Sequence, residues 1–199
     1  MSTSARMIVV LTLIVTVSGG VLSSWDSYTA PKIQHHRLVE LRAAIADVLP
    51  EHDRYDELAL PAQTLYVGRK ATGEPVGIAF IAKGSGFQGV ISIMVGVEMD
   101  FTRLTGIKVL EQIETPGLGT KIVTDPTNKA NPLWFPEQFV GVRPEPEITV
   151  IKNRPPTTET EIQAITGATI TSRAVVKIIN DALKQAQIEY QSSLGKKVS

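Results

Sequence analysis

The sequence predicts an α+β fold: a mostly antiparallel sheet packed with helices, preceded by one N-terminal transmembrane helix. Three observations lead there. Residues 7–22 form an uncharged apolar run. Between positions 64 and 151, short runs of β-forming residues alternate with glycine and proline signals. From Ser172 onward the apolar positions repeat with the period of an amphipathic helix. Strands gathered in one stretch, with helices before and after them, favour α+β over an alternating α/β order.

The apolar run reads MIVVLTLIVTVSGGVL, and its extension to Trp25 is about long enough to cross a bilayer core at roughly 1.5 Å per residue. Arg6 and the amino terminus supply the positive charge on its early side, while Trp25 and Tyr28 stand at its far end, where interfacial aromatics gather. This predicts a single-pass anchor in the inner (cytoplasmic) membrane, with the rest of the chain on the periplasmic side. A cleaved signal peptide is the alternative, since Ser18, Gly19 and Gly20 are small. The retained anchor is preferred because the run continues past the glycines through Val21 and Leu22. No ionisable residue lies in the span, which argues against a direct part in ion conduction.

After the anchor, Ala30-Pro31 opens a predicted helix whose apolar positions include Leu38, Leu41, Ile45 and Val48, and Pro50 stops it. Strand character follows at residues 64–67, 76–82, 90–97, 104–110 and 148–151. The segment KATGE at 70–74 reads as a hairpin turn, and Gly84-Ser85-Gly86 as a break. VISIMVGV at 90–97 is nearly continuous in apolar residues, the mark of a central strand covered on both faces. The closing helix spans 172 to about 191, with Val175, Ile178, Ile179, Ala182, Leu183 and Ala186 along one face. The expected organisation is an anchor at 1–25, a juxtamembrane helix or linker at 26–50, a main domain at 51–191 and a flexible tail at 192–199.

Composition excludes several classes. Of 199 residues, 43% are hydrophobic and 20% charged, enough apolar content for a core. Twenty basic residues balance twenty acidic ones, so no charge field recruits nucleic acid. Cysteine is absent, which removes disulfides, thiolate metal sites and a cysteine nucleophile. The three histidines, His35, His36 and His52, lack the spacing of a helical zinc pair, and no metal site is expected.

Two segments have the make-up of ligand-binding loops. ETPGLG at 114–119, followed by Thr120, combines a Pro-Gly turn, hydroxyls at Thr115 and Thr120, and the apolar Leu118 between glycines that allow close backbone approach. Alone it reads as a plain turn. TGATITS at 166–172 joins small residues and hydroxyls to a helix start. The free N–H groups and partial positive charge of such a start favour a phosphate. Its bland reading is a helix cap made by Thr171 or Ser172. A threonine hydroxyl is a poor nucleophile without an activating base or metal, and none surrounds Thr169 in the local sequence.

The two motifs together resemble those of one family. TGATITSRAV at 166–175 is similar to the flavinylation site of the G subunit of Rnf-type ion-translocating electron transport complexes, and of the related C subunit of sodium-pumping NADH:quinone reductase. ETPGLG resembles the second signature of the same FMN-binding domain, and the order of anchor, ETPGLG, [Ser/Thr]-Gly-Ala-Thr and closing helix matches across nearly the whole chain. The shorter chain and the SRAV that follows the motif favour the Rnf type.

The resemblance implies FMN joined through its phosphate to Thr169 by a phosphoester, attached by a dedicated flavin transferase that uses FAD. It implies that Thr166, Gly167 and Ala168 form the transferase's recognition loop, that Thr115, Leu118, Gly119 and Thr120 lie near the flavin, and that Lys121 is a weaker neighbour. It further implies an electron-carrying subunit of a membrane-bound ferredoxin:NAD oxidoreductase, with the other membrane subunits as partners and no catalytic residue of its own. Residues 51–191 are then the FMN-binding domain. One departure stands out: the transferase motif begins with an aspartate where this chain has Gln163. Glutamine hydrogen-bonds but brings no charge, so Glu161 is a candidate stand-in. Gln112 stands where some relatives carry histidine. The competing expectations are an exported module that binds FMN non-covalently for sensing or assembly, and an anchored assembly factor without cofactor.

Overall fold

The computed structural model describes residues 2–197, except for the side chains of His35 and of positions 195–197. The first helix, α1, is Thr3–Val48. It includes Pro31, so the separate helix expected to open there is the continuation of α1. A helix contains an interior proline at the loss of one backbone hydrogen bond. Just upstream, the Thr29 hydroxyl donates to the Trp25 carbonyl at 3.0 Å and the Ser27 hydroxyl to the Ser23 carbonyl at 3.0 Å. The early part of α1 has an 18-residue window of mean hydropathy 2.2 with none of it buried, and is long and apolar enough to cross a membrane. Its Thr16 hydroxyl is satisfied within the helix, by the Thr12 carbonyl at 2.8 Å.

Residues 1–42 and 43–199 form separate compact units. In the second unit, five strands make one meandering antiparallel sheet in chain order: β1 (Arg54–Ala59), β2 (Thr64–Arg69), β3 (Pro75–Ser85), β4 (Val90–Val97) and β5 (Leu104–Glu111). The expected mostly antiparallel sheet is therefore present. β1 was not foreseen. β4 has the expected bounds, and all its residues but Val90 are buried.

Register explains that burial. Leu65 pairs with Phe80, Phe80 with Val95, Ile78 with Val97 and Ala82 with Ile93, placing these side chains on one face. This face packs into a single core with Val175, Val176, Ile178, Ile179, Leu183 and Ala186 of α3 (Thr169–Lys197). Fully buried side chains such as Phe80 and Ile93 contribute about 1.5–3 kcal/mol each. The opposite face is a flat glycine track: Gly68 pairs with Gly77 and Gly96 with Gly106. The last turn of α1 and Leu49 lie on it, with Ala44, Ile45, Val48 and Leu49 buried. Both faces of β4 are thus covered, as its apolar run predicts.

After β5 the chain makes a 3-10 turn at Gly119–Ile122 and a short helix α2 (Trp134–Glu137). Phe135 and Phe139, both 0% exposed, hold this segment in the core, with ring centroids 5.6 Å apart. A separate pair of three-residue strands, β6 (Thr149–Ile151) and β7 (Glu161–Gln163), is parallel, with Val150 opposite Ile162. The Asn180 side-chain amide clamps the start of β6 to α3, accepting the Ile148 N–H at 3.1 Å and donating to its carbonyl at 2.9 Å. α3 starts three residues before the expected Ser172 and remains helical to Lys197; positions 198–199 of the expected tail lie outside the described residues.

Between β6 and β7 a network of polar groups fastens the chain. The Glu161 carboxylate accepts from Arg154 at 2.6 and 2.9 Å, from the Thr157 N–H at 2.8 Å and from its hydroxyl at 3.0 Å. The Arg154 guanidinium, then the Thr157 amide, hold Glu161 down from 4.5 to about 2. Asp125 is lowered from 3.8 to about 2, by the Thr127 hydroxyl and amide and by the Lys121 ammonium. A carboxylate depressed in the folded state binds its proton more readily in the unfolded chain. Its stabilisation is therefore complete above the unfolded value and disappears as pH falls toward 2. We expect a melting temperature that is level down to about pH 5 and then declines, and a shallower decline for Glu161→Gln. Thermal unfolding across that range checks this; an identical acid decline in wild type and variant refutes it.

Candidate functional site

The two motifs lie far apart in sequence, and the fold brings them together. A cleft of about 290 Å³ is lined by Phe87, Thr115, Leu118, Gly119, Gly167, Ala168, Thr169, Ile170 and Thr171. Three elements build it: the turn between β3 and β4, the loop after β5, and the start of α3. None of these lining residues is ionisable. Phe87, Leu118 and Ile170 are exposed at 57%, 44% and 61%, so the walls offer apolar surface to a ligand.

Local chemistry shapes each wall. The loop after β5 turns at Gly117, whose φ is +73°, and its N–H is capped by the Thr120 hydroxyl at 3.0 Å. Gly167 has φ +82°, and a Cβ there would stand 3.1 Å from Leu118 Cδ2. That close approach joins the two motifs directly.

α3 begins at Thr169, and the Ser172 N–H makes the first bond of the ladder, to the Ala168 carbonyl at 3.0 Å. The N–H groups of the first turn have no acceptor within a helix. Neither expected cap occupies them. The Ser172 hydroxyl donates to the Ala168 carbonyl and accepts the Ile165 N–H, both at 3.0 Å. The Thr171 hydroxyl donates to Glu114 Oε2 at 2.6 Å. Among the described residues, the side-chain hydrogen bonds of this segment leave the Thr169 hydroxyl unengaged.

Of the residues singled out in the sequence, Thr115, Leu118, Gly119, Gly167, Ala168 and Thr169 line the cleft. Thr120 and Thr166 do not: Thr120 caps the turn, and Thr166 is exposed beside it. Lys121 points elsewhere, to Asp125 at 3.2 Å and the Thr127 hydroxyl at 3.1 Å. Gln163 sits in β7, its backbone held by the Gln138 amide at 2.8 and 3.3 Å. Glu161 is no spare acid beside it, since Arg154 and Thr157 occupy its carboxylate.

Sequence reasoning missed Phe87, Ile170 and Thr171 as lining residues, and the linking part played by Glu114. An aromatic between Gly86 and Gly89 was the available signal for Phe87. Glu114 was legible as the first residue of ETPGLG but not as a link, because that role depends on two distant segments.

The arrangement suits a flat aromatic ligand that ends in a phosphate. Apolar side chains flank the opening, no acidic side chain lines it, and the helix start provides oriented N–H groups beside a free hydroxyl. The chain is similar to several known proteins. The FMN-binding domain family matches residues 86–184, which contain every lining residue. The chain is 28% identical over 186 residues to the G subunit of the ion-translocating oxidoreductase complex of Methanosarcina acetivorans, covering 89% of this chain and 92% of that one. It is 30% identical over 197 residues to the G subunit of the Na(+)-translocating ferredoxin:NAD(+) oxidoreductase complex of Acetobacterium woodii, covering 89% of each. The crystal structure of Shewanella oneidensis NqrC aligns with 62% of this chain and 61% of that one, at 23% identity and a TM-score of 0.49.

Proposed function

This chain belongs to the family of G subunits of ion-translocating oxidoreductase complexes, and from that membership we propose that it is the electron-carrying flavoprotein subunit of an Rnf-type ferredoxin:NAD oxidoreductase, with FMN bonded through its phosphate to Thr169. The observation that carries the reading is the meeting of the 114–119 loop and the 166–171 loop in one cleft, with Thr169 at the first position of α3.

Each part of the cleft has a task in this reading. The first-turn N–H groups and the helix dipole hold the phosphate. Phe87, Leu118 and Ile170 face the ring system and keep water from it. Thr115, Gly119, Gly167 and Ala168 supply polar backbone and small surfaces where a larger side chain would obstruct the ring. Bound FMN supplies one- and two-electron redox chemistry.

The Thr169 hydroxyl oxygen forms the new bond to phosphorus in a reaction run by a flavin transferase. The pyrophosphate bond of FAD breaks, AMP leaves, and the hydroxyl proton is released. No general base lines the cleft, which fits a modification that another enzyme performs. A covalent bond removes the dissociation equilibrium, so the site stays loaded whatever the level of free FMN.

The apolar part of α1 is the single-pass anchor in the inner membrane, and Arg6 with the amino terminus keeps its early end cytoplasmic. The flavin domain then works on the periplasmic side, among the other membrane subunits of the complex. Both sequence relatives described above are G subunits, which favours this complex over the sodium-pumping reductase.

The test is intact mass and peptide mapping of protein made in a host that expresses the flavin transferase. An added mass of one FMN less water, on the peptide containing Thr169, is expected. An unmodified chain, beside a control protein that the same transferase has labelled, refutes the covalent reading.

A further inference from the structure

Glu114 is only 4% exposed although it lies in an irregular loop. Its two oxygens serve two different segments. Oε1 accepts the Phe87 N–H at 2.8 Å and the Gln88 N–H at 3.1 Å, in the turn between β3 and β4. Oε2 accepts the Thr171 hydroxyl at 2.6 Å, in the first turn of α3. The Glu114 N–H is itself fixed by Gln112 Oε1 at 2.7 Å. One carboxylate therefore joins its own loop to groups 27 residues before it and 57 residues after it.

The packing around it is close. A Cβ at Gly86 would stand 2.3 Å from Glu114 Oε1, and one at Gly119 would stand 3.0 Å from Oε2 and 3.2 Å from the Thr171 hydroxyl. Both glycines are required for the carboxylate to reach its donors. The partners explain the residue type as well. Three donors converge and no acceptor is offered, which suits a carboxylate, with acceptors on both oxygens and no donor. Bonds of this kind are charge-assisted, and they are strong where water is excluded.

The segments that Glu114 ties together are the same three that build the cleft, yet Glu114 is not among the lining residues. It reaches the site only through its neighbours, Phe87 on one side and Thr171 on the other. We propose that Glu114 is a positioning residue for the flavin: its carboxylate fixes the Phe87 wall against the first turn of α3, and so sets the environment of the ring of the FMN whose phosphate is bonded at Thr169. The proposal rests on the flavin reading above. It adds a specific mechanical link that neither sequence motif contains, between the β3–β4 turn and the flavinylated helix start.

The test uses the full-length chain in detergent, loaded by co-expressed transferase, as wild type, Thr171→Val, Thr171→Ser and Glu114→Gln. Intact mass reports loading. Flavin fluorescence, visible absorption and equilibrium midpoint potential report the ring's surroundings. Thr171→Val removes the hydroxyl tie together with a hydroxyl of the cleft wall, so a shift supports the link only where Glu114→Gln shares it. Loss of one charge-assisted bond corresponds to about tenfold less of the tied arrangement, or about 1.4 kcal/mol. We expect brighter flavin fluorescence and a shifted potential in Thr171→Val, and wild-type values in Thr171→Ser, which keeps the hydroxyl. Glu114→Gln keeps the side-chain volume and is expected to shift both readouts in the same direction; it carries the test if Thr171→Val does not fold.

Loaded Thr171→Val and Glu114→Gln proteins that match wild type in fluorescence and potential, while melting lower, overturn the positioning role and leave Glu114 a structural residue. A wild-type chain that takes up no flavin overturns the flavin reading and this proposal with it. The two failures are told apart by the mass of the wild type.

Discussion

Thr169→Ala is expected to give a folded protein with no covalent flavin. The side chain is only half-buried, and alanine is the best helix former, so α3 keeps its first turn. Stability should change by no more than about 0.5 kcal/mol. What disappears is the one hydroxyl in the 166–172 segment that both lines the cleft and is not already engaged by another group among the described residues. Thr171 and Ser172 cannot substitute, because their hydroxyls bind Glu114 and the Ile165–Ala168 backbone. Thr166 retains its hydroxyl but lies outside the cleft. The effect should therefore be a complete loss rather than a redistribution to a neighbouring threonine. Intact mass and in-gel fluorescence after denaturation read it directly. Acid precipitation separates the outcomes further: flavin that stays in solution is bound without a bond, and flavin in the pellet is bonded. A flavin-bearing pellet from the variant refutes the assignment of Thr169.

The parts of this molecule that were legible in the sequence are those whose structure is set locally or by burial alone. β4 was readable to the residue, because a strand covered on both faces must be apolar throughout. The buried face of α3 was readable from its period, since Val175, Ile179 and Ala186 recur at helical spacing and all are 0% exposed. β1 was not. Its sequence is RYDELA, largely exposed, and it becomes a strand because β2 offers it an edge and Arg69 pairs with Asp56 at 2.5 Å. Strand propensity at an edge depends on the partner more than on the residues. β6 and β7 have three residues each and exist through their mutual pairing and the Asn180 clamp. Pro31 misled for a related reason: proline marks helix starts far more often than interiors, yet α1 runs through it at the loss of one backbone hydrogen bond.

The candidate site divides along the same line. Its motif residues were found by pattern, and six of the eight line the cleft. Phe87 and Glu114 matter through contacts with segments far along the chain, and a linear pattern does not carry that information. The glycine pattern was also present in the sequence without its meaning. Gly84-Ser85-Gly86 reads as a strand break, yet β3 runs on through Gly84 to Ser85, and Gly86 is small because Glu114 needs the space.

The largest stability effect is expected at Gly96, where the sheet meets the end of α1. A Cβ built there would stand 2.2 Å from the Val48 carbonyl oxygen and 2.4 Å from Thr105 Oγ1. The first of these is backbone, so no side-chain rotation relieves the clash. The second is no freer, since the Thr105 hydroxyl is itself hydrogen-bonded to the Val48 carbonyl. Gly96→Ala must either lift residues 43–48 off the sheet or bend β4, which is buried on both faces. Overpacking of this kind costs about 3 kcal/mol. For a domain of this size that lowers the melting temperature by roughly 6–12 °C. Gly106 provides the control. It pairs directly with Gly96 on the same face, but a Cβ there would find Val48 Cα at 3.6 Å, ordinary contact. Gly106→Ala is expected to be neutral, or to stabilise by up to about 1 kcal/mol through a less flexible unfolded chain. Thermal unfolding of the two variants decides the matter. If both fall equally, the close approach of α1 at Gly96 is not the reason for the loss; if only Gly96→Ala falls, glycine is needed there for that approach, and amide exchange should then speed up at Ala44, Ile45 and Val48 in that variant alone.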